Sequence, residues 1–277
     1  MPSRSLHFAL NHMVCPRYSI EQLMRLAVEL GIDAVELRND IGDNSLATLE
    51  QAVAAGELAR ELGLSVLSVN ALYPFNVWDK ERAVQAEHLA ERAAAAGARG
   101  LVLCPLVAAP EDAPTATDVT KALVELGPIL ARHGLVGFVE PLGFPDSSLR
   151  LKADALAAID EAVAILGPSE PARFSLVHDT FHHRGAGEAA LLAARTGLVH
   201  LSGVEDPTLT FDAMLDGDRV LVGEGDRLDN VEQVRRLLAD GYRGYLSFEP
   251  FAESVHALED PADALARSID VIRDGVA

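Results

Sequence analysis

The sequence predicts an α/β protein whose residues 1–277 form a single (β/α)8 TIM-barrel domain. Three observations point there. Short Val/Ile/Leu-rich runs alternate with longer Ala/Leu-rich amphipathic stretches, the pattern of strand–helix units joined by right-handed crossovers. Glycine follows the helical stretches, where a left-handed C-terminal cap is expected. Finally, four runs, VGFVE, FSLVHD, LVHLSG and YLSFE, carry Glu140, Asp179, His200 and Glu249 at or near their ends. A closed parallel barrel gathers the carboxyl ends of its strands on one face, so residues distant in sequence meet there.

The elements follow in order. Strand one begins near Leu6, and the helix after it ends at Gly31; strand two begins near Asp33, with its helix ending at Gly63. Strands three, four and five begin near Ser65, Gly100 and Val136, with helix ends at Gly97, Gly134 and Gly167. Strand six begins near Phe174 and its helix is expected to end at Gly197, just before strand seven near Leu198. The stretch from Gly203 to Asp229 is irregular, contains Pro207, Gly217, Gly223 and Gly225, and is long enough to suggest a functional loop on the active face. A last internal helix ends at Gly241, and strand eight begins near Gly244. An open doubly wound sheet would alternate similarly, but no G-x-G-x-x-G follows the first strand.

At 277 residues, 49% hydrophobic with only 5% aromatic, the chain suits Ala-rich helices around an aliphatic sheet. Its net charge of −19 disfavours a nucleic-acid partner, although a local basic groove stays open. Lys80, Lys121 and Lys152 are the lysines among 23 basic residues, and all lie in or beside predicted helices. A Schiff-base aldolase with a strand-borne lysine is therefore disfavoured. Cys15 and Cys104 are too few for a disulfide framework and read as free thiols in a reducing interior. The start, MPSRSLHFAL, has no apolar stretch long enough for a signal peptide, and no run spans a membrane. A soluble, cytoplasmic protein is expected, with room for a homo-oligomer.

Three carboxylates and one imidazole suit one divalent ion, Mn, Zn, Mg or Co. Taken singly, a strand-end Glu could merely pair with an arginine; four on successive strands favour a metal. His178 and Asp179 compete for the interior, because strand neighbours face opposite sides. Asp179 is the expected ligand and His178 the structural residue. His182, in the loop that should follow, either reaches the substrate or sits at the surface, and His183 is expected to be a bystander. Asn11, Glu36, Arg38 and Asn70 are further polar groups at strand ends, suited to polyol hydroxyls. Tyr73, Phe75 and Trp78 either cover a ring face or pack as ordinary loop residues. No lysine or glycine-rich phosphate cradle is evident, which favours an unphosphorylated substrate.

AVELRND, LSVNALYPFN, LVLCPLV, FVEPLGFP, HDTFHH and DRVLVGEGDRLD, spread along the chain, resemble the xylose-isomerase-like TIM barrels, the sugar isomerase and epimerase group. Within it the likeness is to the 2-keto-myo-inositol (inosose) isomerases. That resemblance implies metal ligation by Glu140, Asp179, His200 and Glu249, and substrate contacts from His182 and Arg219. Arg219 has a plainer alternative, a surface pair with Asp216 or Asp218.

The implied reaction is isomerisation of a polyol ketone or sugar through an enediolate. Glu140 and Glu249 would act as acid and base, with His182 moving a proton between oxygens. A dehydratase or ketose epimerase would share the first step. An endonuclease-type barrel would need a multi-zinc cluster with more histidines, for which His7 and His12 are poor candidates, and a non-catalytic sugar-binding barrel would bind without turnover.

Overall fold

In the computed structural model, which describes residues 6–107, 114–168 and 173–277, parallel strands close into a barrel in chain order. They are β1 (His7–Asn11), β2 (Ala34–Arg38), β3 (Ser65–Leu72), β4 (Gly100–Leu103), β5 (Val136–Val139), β6 (Arg173–Asp179), β7 (Thr196–Leu201) and β8 (Tyr245–Phe248). β8 returns to β1 with Phe8 opposite Leu246 and Leu10 opposite Phe248, completing the ring. The expected (β/α)8 architecture is present. Residues 1–5 of the MPSRSLHFAL start lie outside the described residues.

Helices pack around this ring: α1 (Ile20–Glu29), α2 (Leu49–Leu62), α3 (Lys80–Ala95), α4 (Ala116–His133), α5 (Lys152–Leu166), α6 (Thr180–Ala186), α7 (Asn230–Ala239), α8 (Glu253–His256) and α9 (Ala262–Val276). Reciprocal capping boxes start α1 at Ser19 and Gln22, α2 at Thr48 and Gln51, and α4 at Thr115 and Asp118. Their alanines and leucines bury one stripe against the outer strand faces. Among the described residues, no helix is long and apolar enough to cross a membrane. Both cysteines are free.

Strand alternation divides the barrel interior into levels. Ala9, Ala34, Leu67, Val102, Phe138, Val177 and Leu198 form an apolar plug inside the ring. Two residues further along, the same inward faces carry Asn11, Glu36, Cys104, Glu140, Asp179 and His200. The polar groups therefore sit above the plug, at the carboxyl ends.

Gly197 departs from its expected role. It lies inside β7, whose first residue is Thr196 rather than Leu198, and α6 ends instead at Gly187 in the left-handed region, with φ 68°. A glycine before a strand can serve as a cap or as space for a neighbour, and Gly197 serves the second purpose. A Cβ on it would lie 2.7 Å from the Ser175 Cβ and 2.8 Å from the Phe138 ring of the plug. Gly197→Ala should therefore destabilise the protein by about 1–3 kcal/mol through overpacking, measured as a lower urea midpoint at unchanged m-value. A wild-type midpoint would show that the plug yields.

Candidate functional site

Glu140 directly follows β5, Asp179 ends β6, His200 lies near the end of β7 and Glu249 follows β8. Ladder hydrogen bonds continue through the two glutamates: Glu140 N donates to Leu103 O at 3.0 Å and Glu249 N to Leu201 O at 2.8 Å. The four side chains are buried and converge. One ligand atom from each lies within 4.8 Å of the other three, so the set could hold a metal ion. His200 Nδ1 is central, 2.8 Å from Glu140 Oε1, 3.2 Å from Glu249 Oε2 and 4.0 Å from Asp179 Oδ2.

The other imidazole nitrogen, Nε2, lies 3.2 Å from Glu36 Oε1. Glu36 is fully buried below the quartet and does not line the cavity above it. It accepts from Ser68 Oγ at 2.5 Å, from Asn70 Nδ2 at 3.1 Å and from Ser247 Oγ. A carboxylate behind a ligand imidazole fixes ring orientation and raises its basicity, which is the chemistry a metal-binding histidine requires.

Arg38 and Arg219 hold Glu249 between them. Its Oε1 accepts from Arg38 Nη1 at 2.7 Å and Asn11 Nδ2 at 3.1 Å, and its Oε2 from Arg219 Nη2 at 3.1 Å. The Arg38 fork also engages Asp40 through two bonds of 2.7 Å. Arg219 donates to Asp179 Oδ2 at 2.6 Å, Asp216 Oδ1 at 3.1 Å and Ser202 Oγ at 3.0 Å, while its guanidinium lies over Phe251 and Phe181. Arg219 pairs with Asp216, but not at the surface: it is only 1% exposed and lines the cavity.

Four buried carboxylates, from Glu36, Glu140, Asp179 and Glu249, face two buried guanidiniums, leaving two negative charges unmatched when His200 is neutral. Ions in such a place require compensation. Burial alone would depress the His200 pKa, but Glu249, Glu36 and Glu140 outweigh it and raise the value well above 6.5. Burial pushes the Glu36 and Glu249 carboxyls up, but His200, joined by the Ser247 hydroxyl at Glu36 and by Arg219 and Arg38 at Glu249, outweighs it, so both end below the usual carboxylate range.

A cavity of about 570 Å³ opens above the quartet, with Arg38, Asn70, Glu140, His182, Arg219 and Glu249 in its polar lining. Tyr73, Phe144, Phe251 and Leu215 supply apolar walls. His182 is in helix α6 rather than a loop, because the Asp179 side chain caps that helix by accepting from His182 N at 2.9 Å. Its ring meets Phe144 and Phe181 edge-on, and Nδ1 has no hydrogen-bond partner among the described residues. Close approach of the loop after β5 needs Gly143, where a Cβ would fall 2.1 Å from His182 O.

Trp78 is not brought to the cavity; it packs against the apolar layer outside the strands, as does Phe75. Phe75 N donates to Cys104 O at 3.0 Å, drawing that segment against β4 and leaving only Tyr73 of the trio in the wall. His178 points outward, as alternation requires, and His183 is buried beside it with ring centroids 4.7 Å apart. Cys104 is a cavity residue that sequence reasoning passed over: its Sγ lies 3.3 Å from Glu140 Oε2. Two residues past the inward-facing Val102, it carried the alternation signal. Phe144, Leu215 and Phe251 come from loops, where no periodicity marks them.

The segment from Gly203 to Asp229 has an apolar cluster of its own. Val204, Met214 and Leu228 pack on Phe181, with Phe144, Leu209 and Phe211 against them. Asp226 ties its end down, accepting from Leu228 N at 3.1 Å within it and from Asn230 N, the first residue of α7, at 2.9 Å.

Residues 24–275 match the family described as xylose isomerase-like TIM barrel. The chain belongs to that family. No curated protein matches it by sequence. Among solved structures, a xylose isomerase domain containing protein from Salmonella typhimurium LT2 is 35% identical, with TM-score 0.87 over 98% of this chain and 99% of the other. The IolI protein with a bound zinc atom is 20% identical, with TM-score 0.79 over 98% of both chains. The 3-keto-D-glucoside 4-epimerase YcjR of E. coli is 21% identical, with TM-score 0.70 over 98% of this chain and 100% of the other. For these last two the likeness concerns the fold of the xylose isomerase-like barrel.

The buried charges predict a pH profile for protein kept free of divalent ions by a chelator. Glu36 and Glu249, with lowered pKa values, contribute stability that is lost as pH falls through those values. His200, with a raised pKa, contributes stability that is complete below 6.5 and lost as pH rises through its folded value. The thermal midpoint should therefore decline in the alkaline range as well as in acid. A midpoint that stays flat or rises at alkaline pH would show that the carboxylates do not hold a proton on His200.

Proposed function

We propose that the protein is a divalent-metal-dependent isomerase of a cyclic polyol ketone, with 2-keto-myo-inositol (inosose) as substrate, acting through an enediolate. The observation that carries this reading is the buried quartet beneath a cavity of about 570 Å³, which together with Glu36 carries two negative charges more than Arg38 and Arg219 match. Glu140, Asp179, Glu249 and His200 Nδ1 would hold the ion, and the mixed O/N set fits Mn²⁺, Mg²⁺, Co²⁺ or Zn²⁺. Such an ion supplies Lewis-acid stabilisation of a developing oxyanion.

The remaining chemistry belongs to side chains. Glu140 and Glu249 follow β5 and β8, which β6 and β7 separate, and both line the cavity, as a pair exchanging a carbon-bound proton requires. Glu140 Oε2 meets the Cys104 thiol, while Glu249 has guanidiniums on both oxygens, so the two carboxylates have unequal surroundings. His182, whose Nδ1 is unpartnered among the described residues, can move a proton between neighbouring oxygens. The Arg219 fork can hold the enediolate or a ring hydroxyl, and Asn70 and Arg38 can bind further hydroxyls. Tyr73, Phe144 and Phe251 offer apolar faces to the C–H side of a ring. Asp40, Asp146 and Asp216 also line the cavity, and both lining arginines are paired with carboxylates, which disfavours a phosphorylated substrate. The free thiols fit a reducing compartment, and we place the protein in the cytoplasm.

The bound zinc of IolI and the keto-sugar substrate of the 3-keto-D-glucoside 4-epimerase, both on this fold, support the reading. Epimerisation is the second reading, favoured by the latter and by a D-psicose 3-epimerase of the same fold. Metal-reconstituted protein incubated with inosose and a panel of ketoses, followed by NMR, separates the two. Conserved product mass excludes a dehydratase. In heavy water, deuterium should enter the carbon next to the carbonyl whenever the abstracted proton exchanges before its return.

Glu140→Gln and Glu249→Gln should each lower turnover by about 10²-fold or more, with metal content measured alongside. Normal turnover in both fully metallated variants would remove their acid/base roles. Arg219→Lys keeps the charge but loses the fork, so turnover should fall while metal is retained. Wild-type kinetics there would return Arg219 to a purely structural pair. Because a ligand imidazole must be neutral, Mn²⁺ affinity should rise with pH, and calorimetry at several pH values checks it.

A further inference from the structure

Asp179 faces the quartet, and one residue earlier His178 points the opposite way, fully buried between the barrel and its helices. Its Nδ1 lies 2.9 Å from Lys152 Nζ at the start of α5, and its Nε2 lies 2.9 Å from Gln233 Oε1 in α7. Lys152 is itself buried and also donates to Leu191 O at 3.1 Å. An ammonium group only donates, so Nδ1 accepts and the ring proton sits on Nε2, directed at Gln233 Oε1. The Gln233 amide nitrogen then donates to Thr180 O at 3.1 Å and Leu228 O at 2.7 Å. Every bond in this chain runs in one direction.

Its two end points are informative. Thr180 is the residue after Asp179, and Leu228 lies at the exit of the 203–229 segment that carries Arg219. On the inner side the same two elements meet through Arg219 Nη2 and Asp179 Oδ2, 2.6 Å apart. A carboxylate shared between Arg219 and a cation cannot by itself fix the spacing of the elements bearing them. An outer tie can.

We propose that the Lys152–His178–Gln233 chain behind β6 positions Asp179 against the Arg219-bearing segment and thereby sets the cation affinity of the quartet. This rests on the divalent-cation reading above. An apolar trio could fill the same space without burying an ammonium group, so packing alone does not call for these residues.

Two variants test it: Lys152→Met combined with His178→Leu, which leaves no orphaned charge, and Gln233→Met, which spares the Lys152–His178 pair and cuts only the tie. Mn²⁺ binding is measured by calorimetry well below each unfolding midpoint, and trypsin cleavage after Arg219 and Arg227 is followed with and without Mn²⁺. The expected result is about 10- to 100-fold weaker Mn²⁺ binding, the usual range for partners of ligands, and faster cleavage in the folded variants. A role confined to fold stability would lower the midpoint and leave affinity unchanged. Wild-type affinity and cleavage in folded Gln233→Met overturn the proposal, whether or not the double variant folds. If the wild type binds no Mn²⁺, the cation reading fails separately, and cleavage without Mn²⁺ decides the tie: faster cleavage supports it, and an unchanged rate overturns it.

Discussion

Charge burial governs the upper barrel. Glu36, Glu140, Asp179 and Glu249 share a water-poor space with Arg38, Arg219 and His200, and each ionised group there needs a partner on every exposed lone pair or proton. That requirement accounts for the small polar residues at core positions: Ser68 and Ser247 serve Glu36, Asn11 serves Glu249, and Ser202 serves Arg219. Removing one partner of a buried pair typically costs about 3–5 kcal/mol, whereas exposed pairs contribute about 0–1 kcal/mol. Arg219 with Asp179 belongs to the first kind. The Arg38–Asp40 pair lies closer to the second, since the Asp40 side chain is 49% exposed.

The plug below and the charges above are two consequences of one pattern. A strand of period two that places Val177 in the plug must place Asp179 above it, and Phe138 and Glu140 repeat the relation. Polarity therefore changes with height in the barrel, and the floor of the cavity rests on an apolar layer. There Glu36 and His200 hold one another in fixed orientation.

Much of this was legible before any coordinates. Strand starts at Ser65, Gly100 and Val136 coincide with the observed ones, because apolar runs bounded by glycine leave little latitude. The inward choice of Asp179 over His178 followed from alternation alone. What escaped had no periodic signal or had two physical explanations. Gly197 reads equally as a cap or as space for Phe138, and only the packed neighbours decide. His182 reads as a loop residue because a helix beginning directly after β6, capped by Asp179, leaves no linker to read. Trp78, by its position after β3, suits a ring face as well as loop packing, and the backbone bond from Phe75 to Cys104 turns that segment toward the core. Cys104 was undervalued because a single thiol has so many unremarkable uses.

The 203–229 segment is long, yet it is not a loose flap. Val204, Met214 and Leu228 close over Phe181, and Arg227 straps the turn by donating to Leu209 O at 2.8 Å. Rigidity of that kind makes the segment a self-supporting cassette seated on α6. Exchanged as a unit between barrels of this fold, with Phe144 and Phe181 kept as its seat, it would carry its own shape into a new host.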